Sequence, residues 1–327
     1  MIKVRIAGTG SYLPPTRLTN DDLARRMDTS DEWIRTRTGI RERRILAAGD
    51  VPAEMGVAAA RAALAAAGKG PADVDLLIVA TNVPEEIIPG TAPHLAAALK
   101  LAKDAPFFDV TAGCAGFVYA LALAGAMIAV GLARSALVVG TEALSRFVDW
   151  EDRSTCVLFG DGAGAAVLVP AEGTAGILGV SLHGDPAKLS LLRIEAGGVR
   201  RPTTADTVRE GLHFLRMEGE GLFRPAVTMM ARATREALAR AGLTLQDIDW
   251  VIPHQANLRI VGALAKRLKL PPERVVVNID RVANTSTASI PIALDELVRT
   301  GRVEPGQVVA VTAFGAGACY GTVILRW

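Results

Sequence analysis

Short apolar runs alternate along the chain with longer stretches rich in alanine. The runs have the length of β-strands and lie at Val4–Ala7, Leu76–Ala80, Leu137–Gly140, Ala165–Val169, Val251–Pro253, Val275–Asn278 and Val308–Thr312. The stretches between them, such as Ala53–Ala67 and Phe223–Arg240, have the pattern of helices. Because the runs are apolar at consecutive positions, we expect helices to cover both faces of the strands. The pattern predicts an α/β protein.

One helix-to-strand unit occurs twice in the chain. Residues 62–79 and 236–253 align position by position and share several Ala, one Leu, one Gly and two Asp. In each copy the glycine (Gly68 or Gly242) ends the helix pattern, and a polar turn leads into an apolar run. A second, weaker similarity relates Phe159-Gly-Asp-Gly-Ala-Gly to Phe314-Gly-Ala-Gly-Ala. The sequence therefore predicts two similar halves, residues 1–171 and 172–327, with a site where their strands end.

Composition and charge restrict the partners and the environment of the chain. Of its 327 residues 50% are hydrophobic, and the formal net charge is only +2, so no overall positive field favours nucleic acid. The first ten residues lack the apolar core of an export signal, and three cysteines cannot form a disulfide framework, so we expect a cytoplasmic protein. Residues 110–133 carry no charge, but their Ala and Gly content favours a buried helix over a membrane span.

Cys114 is the first candidate for chemistry. It follows the strand-like Pro106–Val110 and opens the helix predicted for Gly116–Leu132. A thiol at a helix start meets aligned backbone dipoles, which lower its pKa and make it a nucleophile. The alternative is a small buried cysteine without a chemical role. Of the other two cysteines, we predict Cys156 in the core and Cys319 in a strand.

Two polar side chains and one loop of the second half are further candidates. His254 ends the apolar run Val251–Pro253, at the strand end where α/β proteins build sites, although a lone histidine is more often structural. Asn284 follows the predicted strand Val275–Asn278, as Cys114 follows its own strand, although in isolation a helix-cap role would be favoured. The Gly-rich loop 314–317 brings backbone N–H groups close to a reacting carbonyl.

Five motifs that run in order along nearly the whole chain resemble those of the β-ketoacyl-acyl-carrier-protein synthase III family. They are Thr29-Ser-Asp-Glu-Trp33-Ile-Arg-Thr-Arg37-Thr-Gly-Ile-Arg-Glu-Arg, Thr111-Ala-Gly-Cys114-Ala-Gly-Phe, Phe159-Gly-Asp-Gly-Ala-Gly, His254-Gln-Ala-Asn257-Leu-Arg259 and Asn284-Thr-Ser. The resemblance implies a thiolase-like, duplicated five-layered α-β-α-β-α sandwich that forms a homodimer. The duplication agrees with the repeat in the sequence.

The resemblance also implies a mechanism. Cys114 takes the acyl group of an acyl-CoA, commonly acetyl-CoA, and malonyl-acyl carrier protein then loses carbon dioxide and attacks the acyl-cysteine. His254 and Asn284 stabilise the enolate, and the backbone N–H groups of Cys114 and Ala316 hold the oxyanion of the acyl transfers. Acyl-CoA is a substrate here, so the resemblance implies no cofactor and no metal.

Further residues match the family's binding sites. For coenzyme A the matching residues are Trp33, Arg37, Arg153, Gly219, Phe223 and Asn257. Around the mouth of the tunnel, a basic set that would dock an acidic carrier protein consists of Arg224, Arg259, Lys266 and Arg267, with Lys269 beside them. Ile88 stands where many relatives have a Phe that closes the acyl pocket from the neighbouring subunit, so the preferred acyl chain stays open. Without the resemblance, these residues would be read as an exposed Trp and ordinary surface arginines and lysines.

Three other interpretations compete with this one. A starter-unit condensing enzyme for polyketides, or for branched or long acyl-CoA, would use the same three side chains. A thiolase or a hydroxymethylglutaryl-CoA synthase would need a base motif that the chain lacks. A non-catalytic dinucleotide-binding module would need a fingerprint helix, but Leu13-Pro14-Pro15 follows the first Gly-Thr-Gly.

Overall fold

The structure is a computed structural model that describes residues 2–327, without the side chain of residue 220, so Met1 lies outside it. Its strands, in chain order, are β1 (Val4–Tyr12), β2 (Arg17–Thr19), β3 (Glu42–Arg44), β4 (Leu76–Ala80), β5 (Phe107–Val110), β6 (Ala136–Glu142), β7 (Gly162–Pro170), β8 (Gly176–Gly184), β9 (Leu192–Ile194), β10 (Leu215–Met217), β11 (Trp250–Pro253), β12 (Val308–Phe314) and β13 (Cys319–Arg326). The α-helices are α1 (Asn20–Ala24), α2 (Asp31–Thr38), α3 (Pro52–Ala66), α4 (Ala92–Leu99), α5 (Gly116–Ala129), α6 (Ala205–Arg209), α7 (Gly219–Ala241), α8 (Leu258–Leu268), α9 (Ile279–Val282) and α10 (Ser289–Arg299).

Two large mixed sheets form the frame of the fold. The first has the strand order β1-β7-β6-β4-β5, in which β4, β5 and β6 are parallel and β7 and β1 are antiparallel to their neighbours. The second has the order β11-β12-β13-β8, with β11 and β12 parallel. Every residue of β4, β6 and β12 is buried, as the uninterrupted apolar runs predict. The strands of the first sheet end by Pro170, and those of the second begin at Gly176.

The helices pack in three layers around these sheets. Helices α3 and α4 cover the outer face of the first sheet, and α7, with α8 beside it, covers the outer face of the second. Between the sheets lie α5, which contacts β4 and β6 on one side and β13 on the other, and α10, which contacts β1 and β7. This arrangement is the predicted five-layered α-β-α-β-α sandwich.

The two copies of the sequence repeat have the same local structure. In each, a long helix (α3 or α7) leads through a short 3-10 turn into a strand of its sheet (β4 or β11). The second shared aspartate has an equivalent partner in both copies. Asp75 accepts the N–H of Ser135, just before β6, at 2.8 Å, and Asp249 accepts the N–H of Val308, the first residue of β12, at 2.7 Å. The repeat is therefore a repeat of hydrogen-bonding roles as well as of residues.

The prediction of a strand at Val275–Asn278 is wrong. The segment makes a single isolated bridge, from Val275 to Val251 on β11. Beyond that bridge its backbone is held by the side chain of Gln255, which donates to the carbonyl of Val276 at 3.1 Å and accepts from the N–H of Asn278 at 3.2 Å. A side-chain amide thus takes the place of a neighbouring strand.

The uncharged segment forms a buried helix between the sheets. Helix α5 ends at Ala129, three residues before the predicted end, and its residues pack against both sheets. Within residues 2–327, no helix is both long enough and apolar enough to span a bilayer.

Candidate active site

Cys114 lies between β5 and α5, in the middle of the molecule. Its side chain is buried, and the helix begins two residues later, with Ala115 at the N-cap. The hydroxyl of Ser286 donates to its sulfur at 3.3 Å. Burial raises the pKa of the Cys114 thiol to about 12, and the bond from Ser286 opposes that rise. The expectation of a lowered thiol pKa is therefore wrong, because burial outweighs the hydrogen bonds that favour the thiolate.

Two glycines let the loop around Cys114 touch the loop after β12. Gly113 has a left-handed backbone, with φ +55, and a Cβ atom there would lie under 3.0 Å from the backbone nitrogen of Ala316. A Cβ atom on Gly315 would in turn lie under 3.0 Å from the backbone nitrogen of Cys114. Only glycine fits at either place without a shift of backbone. The amides of Cys114 and Ala316, predicted to form the oxyanion hole, thus lie where the two loops meet.

His254 follows β11 directly, and its backbone N–H donates to the carbonyl of Thr312 on β12 at 2.8 Å. The side chain is 3% exposed, and burial lowers the pKa of its imidazole to about 4. The ring is therefore neutral at pH 7 and carries one N–H donor. Its Nδ1 atom has no hydrogen-bond partner among the described residues.

Asn284 is fixed by the Gly-rich segment of the first half. Its backbone N–H donates to the carbonyl of Leu158 at 2.9 Å, and its own carbonyl accepts from Gly160 at 3.0 Å. The side-chain oxygen accepts the N–H of Ser286 at 2.9 Å, so the amide presents its NH2 group as the donor. The repeated Phe-Gly motif therefore holds a candidate catalytic residue of the other half.

One cavity brings the three predicted side chains together. Cys114, His254 and Asn284 all line a space of about 120 Å³, which we call the central cavity. Gly219, Phe223 and Asn257, predicted as tunnel residues, line it as well. The sulfur comes from the first half of the chain, and the imidazole and the carboxamide come from the second.

A second cavity adjoins Cys114. This side cavity, of about 170 Å³, is lined mainly by apolar side chains, among them Leu144, Phe159 and Leu215. Asn82 and Ser286 line it as well. Ile88, predicted to close an acyl pocket, does not line the side cavity of its own chain. Its side chain is 86% exposed, and Ile87 beside it is 80% exposed.

The residues predicted to hold the nucleotide of coenzyme A form a cluster of their own. The guanidinium of Arg37 lies 4.6 Å from the ring centroid of Trp33, and that of Arg153 lies 5.1 Å from it. Arg153 also hydrogen-bonds the backbone carbonyl and the carboxylate of Asp28. The cluster adjoins the central cavity, because Asn257 donates its side-chain amide N–H to the carbonyl of Arg37 at 3.1 Å.

The predicted basic set lies on the surface formed by α7 and α8. Arg224, Arg259, Lys266, Arg267 and Lys269 are all exposed. The guanidinium of Arg259 lies 5.8 Å from the ring centroid of Phe223, which lines the central cavity. Lys266 lines a shallow apolar groove along α8, together with Leu258 and Val261.

Three polar residues beside Cys114 were missed by the sequence interpretation. Ser286 contacts the sulfur, Asn82 contacts Ser286, and Glu142 accepts from Asn82. The available signal was a lone carboxylate, Glu142, at the end of the apolar run that forms β6. No group of three or more His, Cys, Asp and Glu side chains in the described part of the chain is arranged to hold a metal ion.

Comparisons with known proteins agree on one family. The family model described as 3-Oxoacyl-[acyl-carrier-protein (ACP)] synthase III matches residues 108–186, and the model of the C terminal of the same family matches residues 238–327. A beta-ketoacyl-[acyl-carrier-protein] synthase III of Symbiobacterium thermophilum is 50% identical over 324 residues, which cover 99% of this chain and 98% of that protein.

Solved structures give the same picture. The 3-oxoacyl-[acyl-carrier-protein] synthase III of Aquifex aeolicus superimposes with a TM-score of 0.91 at 46% identity, covering 99% of this chain and 100% of the other. The priming beta-ketosynthase from the R1128 polyketide biosynthetic pathway superimposes with a TM-score of 0.91 at 40% identity, covering 99% and 96% of the two chains. The thiolase-like fold and the sequence relationship therefore extend over the whole chain.

Proposed function

The chain belongs to the 3-oxoacyl-[acyl-carrier-protein] synthase III family, and we propose that it condenses an acyl-CoA with malonyl-acyl carrier protein. The reaction releases carbon dioxide and yields a 3-oxoacyl-acyl carrier protein, the first condensation of fatty acid biosynthesis. The observation that carries the proposal is the central cavity, which Cys114, His254 and Asn284 line together. A thiol, a neutral imidazole and a carboxamide in one buried space match what the two half-reactions need.

In the first half-reaction the sulfur of Cys114 attacks the thioester carbon of acyl-CoA. The bond from that carbon to the sulfur of coenzyme A breaks, and coenzyme A leaves as a thiol with the proton that Cys114 gives up. The carbonyl oxygen carries negative charge on the way, and the N–H groups of Cys114 and Ala316 would bind it. Removing one such donor in comparable enzymes costs about 3 kcal/mol of transition-state stabilisation.

In the second half-reaction the bond to the malonyl carboxylate breaks and its electrons form an enolate. His254 and Asn284 would each donate a hydrogen bond to the enolate oxygen. An imidazole with a pKa of about 4 suits this role, since it offers an N–H at neutral pH without carrying a charge that binds the substrate carboxylate. The enolate carbon then attacks the acyl carbonyl, and the Cys114 sulfur leaves as a thiolate. This thiolate takes up one proton from solvent, because its own proton left with coenzyme A.

The same proposal assigns the path of coenzyme A. Its pantetheine arm would pass Gly219, Phe223 and Asn257 in the central cavity, which ends at Cys114. Its adenine would stack on Trp33, where the guanidinium of Arg37 or Arg153 lies now, and the displaced guanidinium would face the phosphates. All groups used belong to this chain and its substrates, so the proposed reaction needs no resident cofactor.

The carrier protein would dock on the surface of α7 and α8. Arg224, Arg259, Lys266 and Arg267 are exposed there, and the guanidinium of Arg259 lies over the ring of Phe223, 5.8 Å from its centroid. Positive charge at the rim of the tunnel speeds the encounter with an acidic partner and makes it sensitive to salt.

We also propose that two copies of the chain form a homodimer and that each copy is built of halves 1–171 and 172–327. Strand β5 is an edge of the first sheet, and Phe107 on it is 45% exposed. The acyl group would lie in the side cavity, and the exposed Ile88 of one copy would close the side cavity of the other copy. An aliphatic residue at this place would set the length and branching of the acyl chain.

A second candidate function is a starter-unit condensing enzyme of polyketide synthesis. It is favoured by the likeness to the priming ketosynthase, which matches over 99% of this chain. The two functions share their catalytic groups and differ in the acyl-CoA that the side cavity accepts.

The experiment that tests both is steady-state turnover of the full chain with malonyl-acyl carrier protein and a series of acyl-CoA substrates. We expect a 3-oxoacyl product, identified by its mass on the carrier, with acetyl-CoA as the preferred primer. Preference for isobutyryl- or octanoyl-CoA would support the second candidate. Lack of a condensation product with all three primers would exclude both.

A further inference from the structure

We propose that Ser286 is a further catalytic residue, which donates a hydrogen bond to the sulfur of Cys114, and that Asn82 and Glu142 are positioning residues that force its hydroxyl to point that way. The inference rests on the proposed function, in which Cys114 is the nucleophile. None of the three residues is used in the steps described above.

The geometry is a continuous line of hydrogen bonds from the first sheet to the sulfur. Glu142, the last residue of β6, accepts the side-chain amide of Asn82 at 2.6 Å. The same NH2 group lies 3.0 Å from the hydroxyl oxygen of Ser286, which lies 3.3 Å from the sulfur of Cys114. Glu142, Ser286 and Cys114 are all buried, so these hydrogen bonds lie away from the surface of the protein.

The direction of each bond follows from what its groups can do. The amide nitrogen of Asn82 has two hydrogens and donates both, one to Glu142 and one to Ser286. The oxygen of Ser286 therefore accepts, and its single hydrogen remains for another partner. The sulfur of Cys114, at 3.3 Å, is the partner in hydrogen-bonding geometry, and the carboxyl of Glu142 is the acceptor that competes with it for this hydrogen. Above its pKa of about 7, Glu142 is a carboxylate that only accepts, so it fixes the amide of Asn82 in this orientation, and the backbone N–H of Asn82 bonds it as well.

The backbone of Ser286 is held in a conformation that serves this contact. Its φ is +50, in the left-handed region that side chains other than glycine rarely adopt. The N–H of Ser286 donates to the side chain of Asn284 at 2.9 Å. A residue in an unusual conformation that joins two candidate catalytic side chains is the kind of strain found at active sites.

A hydrogen-bond donor beside the sulfur offsets part of the cost of forming a thiolate in a buried site. Burial disfavours the thiolate of Cys114, and the titratable groups that face it are Glu142, whose charge also disfavours the thiolate, and the neutral His254. Ser286 is the side chain that favours the thiolate by hydrogen bonding. Because the sulfur carries charge when it attacks and again when it leaves, Ser286 would assist both half-reactions.

The test measures the rate of alkylation of Cys114 by iodoacetamide in the full chain, between pH 7 and pH 9, by the mass of the peptide that contains Cys114, which separates it from the partly exposed Cys319. Ser286→Ala should react about tenfold more slowly at each pH, the effect of one unit in the thiol pKa. The matched control is Ser289→Ala, which removes another buried hydroxyl of the same segment, one that pairs with the hydroxyl of Thr285. A wild-type rate in Ser286→Ala would overturn the proposal.

A second set of variants tests whether Asn82 and Glu142 orient the hydroxyl of Ser286 toward the sulfur. In Asn82→Asp with Glu142→Gln, the amide and the carboxylate exchange places, so the carboxylate at position 82 would accept the hydrogen of Ser286 and turn it from the sulfur. Adding Ser286→Ala to this background should then change the alkylation rate by less than about twofold, since the hydroxyl no longer bonds the sulfur. An effect of Ser286→Ala as large as in the wild-type background would show that Asn82 and Glu142 do not orient the hydroxyl.

The outcome is independent of the proposed function. Alkylation reports on the sulfur of the free protein, whereas the proposed function is tested by condensation with acyl-CoA. Slow alkylation in Ser286→Ala together with no condensation by the wild type would support the hydrogen bond and reject the enzyme.

Discussion

A Cβ atom on Gly315 would lie under 3.0 Å from the backbone nitrogen of Cys114. The two residues belong to loops from different halves of the chain, and each loop carries one of the amides proposed for the oxyanion hole. The spacing of these amides is therefore set by the contact of backbone with backbone.

Gly315→Ala tests this contact alone. The φ of Gly315 is −148, which any residue adopts, so an alanine there is opposed only by lack of space. The loops must separate, and we expect kcat to fall by about 10²-fold or more, as when an oxyanion donor is lost. Gly184→Ala is the control, since no atom of the described residues lies within 4 Å of its added Cβ atom, and it should keep wild-type kinetics. Equal kcat in the two variants would contradict the role given to the contact.

Cys114→Ala should abolish acyl transfer while the fold is kept. The substitution removes one buried sulfur and leaves the backbone amide in place. The measurement is the mass of the protein after incubation with acetyl-CoA, which should rise by one acetyl group in the wild type and not in the variant. Cys319→Ala, the partly exposed cysteine at the start of β13, serves as the control and should acylate normally. Acylation that persists in Cys114→Ala would reject this nucleophile.

His254→Ala and Asn284→Ala should impair malonyl decarboxylation more than self-acylation. Both side chains are proposed to bind the enolate oxygen, which forms only in the second half-reaction. We expect release of labelled carbon dioxide to fall about 10²-fold or more, with a much smaller change in the rate of acyl-enzyme formation. Equal losses in both half-reactions would show that these residues act on the sulfur instead.

The architecture follows from the sequence because most strands are uninterrupted apolar runs and the repeat marks corresponding elements. Leu76–Ala80 is a strand with the predicted ends, and α3 begins within one residue of its prediction. Val275–Asn278 differs because its hydrogen-bond partner is the side chain of Gln255, about 20 residues away, and no local pattern reveals such a partner.

The candidate site was less predictable than the fold. Cys114, His254 and Asn284 could be named because each follows a strand-like run in a recognisable motif. Ser286 belongs to the quoted Asn284-Thr-Ser motif, but its role and that of Glu142 were not predicted, because both arise from contacts between distant segments. The raised pKa of Cys114 was also missed, since the depth of burial depends on how the two halves pack.

Charge reversal on α8 should weaken carrier binding selectively. In Lys266→Glu with Arg267→Glu, we expect the KM for malonyl-acyl carrier protein to rise about tenfold at low salt, because an attractive rim becomes repulsive. The acylation rate with acetyl-CoA should not change. Added salt should narrow the difference in KM between variant and wild type. Arg61→Glu, an exposed change on α3, is the control, and an equal effect there would argue against a docking surface at α8.

Two buried groups make opposite contributions to stability as the pH changes. Burial raises the pKa of Glu142 from 4.5 to about 7, so between these values the folded chain holds a proton that the unfolded chain has lost. Its contribution is present below pH 4.5 and is lost as the pH rises toward 7. Burial lowers the pKa of His254 from 6.5 to about 4, so its contribution is lost as the pH falls through that range.

Glu142→Gln should therefore remove the pH dependence of stability that Glu142 contributes. Wild type becomes less stable as Glu142 loses its proton, whereas glutamine has no proton to lose. The free energy of unfolding of the variant, relative to wild type, should therefore rise by about 3 kcal/mol between about pH 4.5 and pH 7. In this variant the pH dependence of the free energy of unfolding that comes from His254 remains, and its sign should be opposite to that from Glu142. Urea unfolding at four pH values measures both, and Glu151→Gln, at an exposed carboxyl, is the control. A difference between Glu142→Gln and wild type that stays constant over this range would mean that the carboxyl of Glu142 does not titrate there.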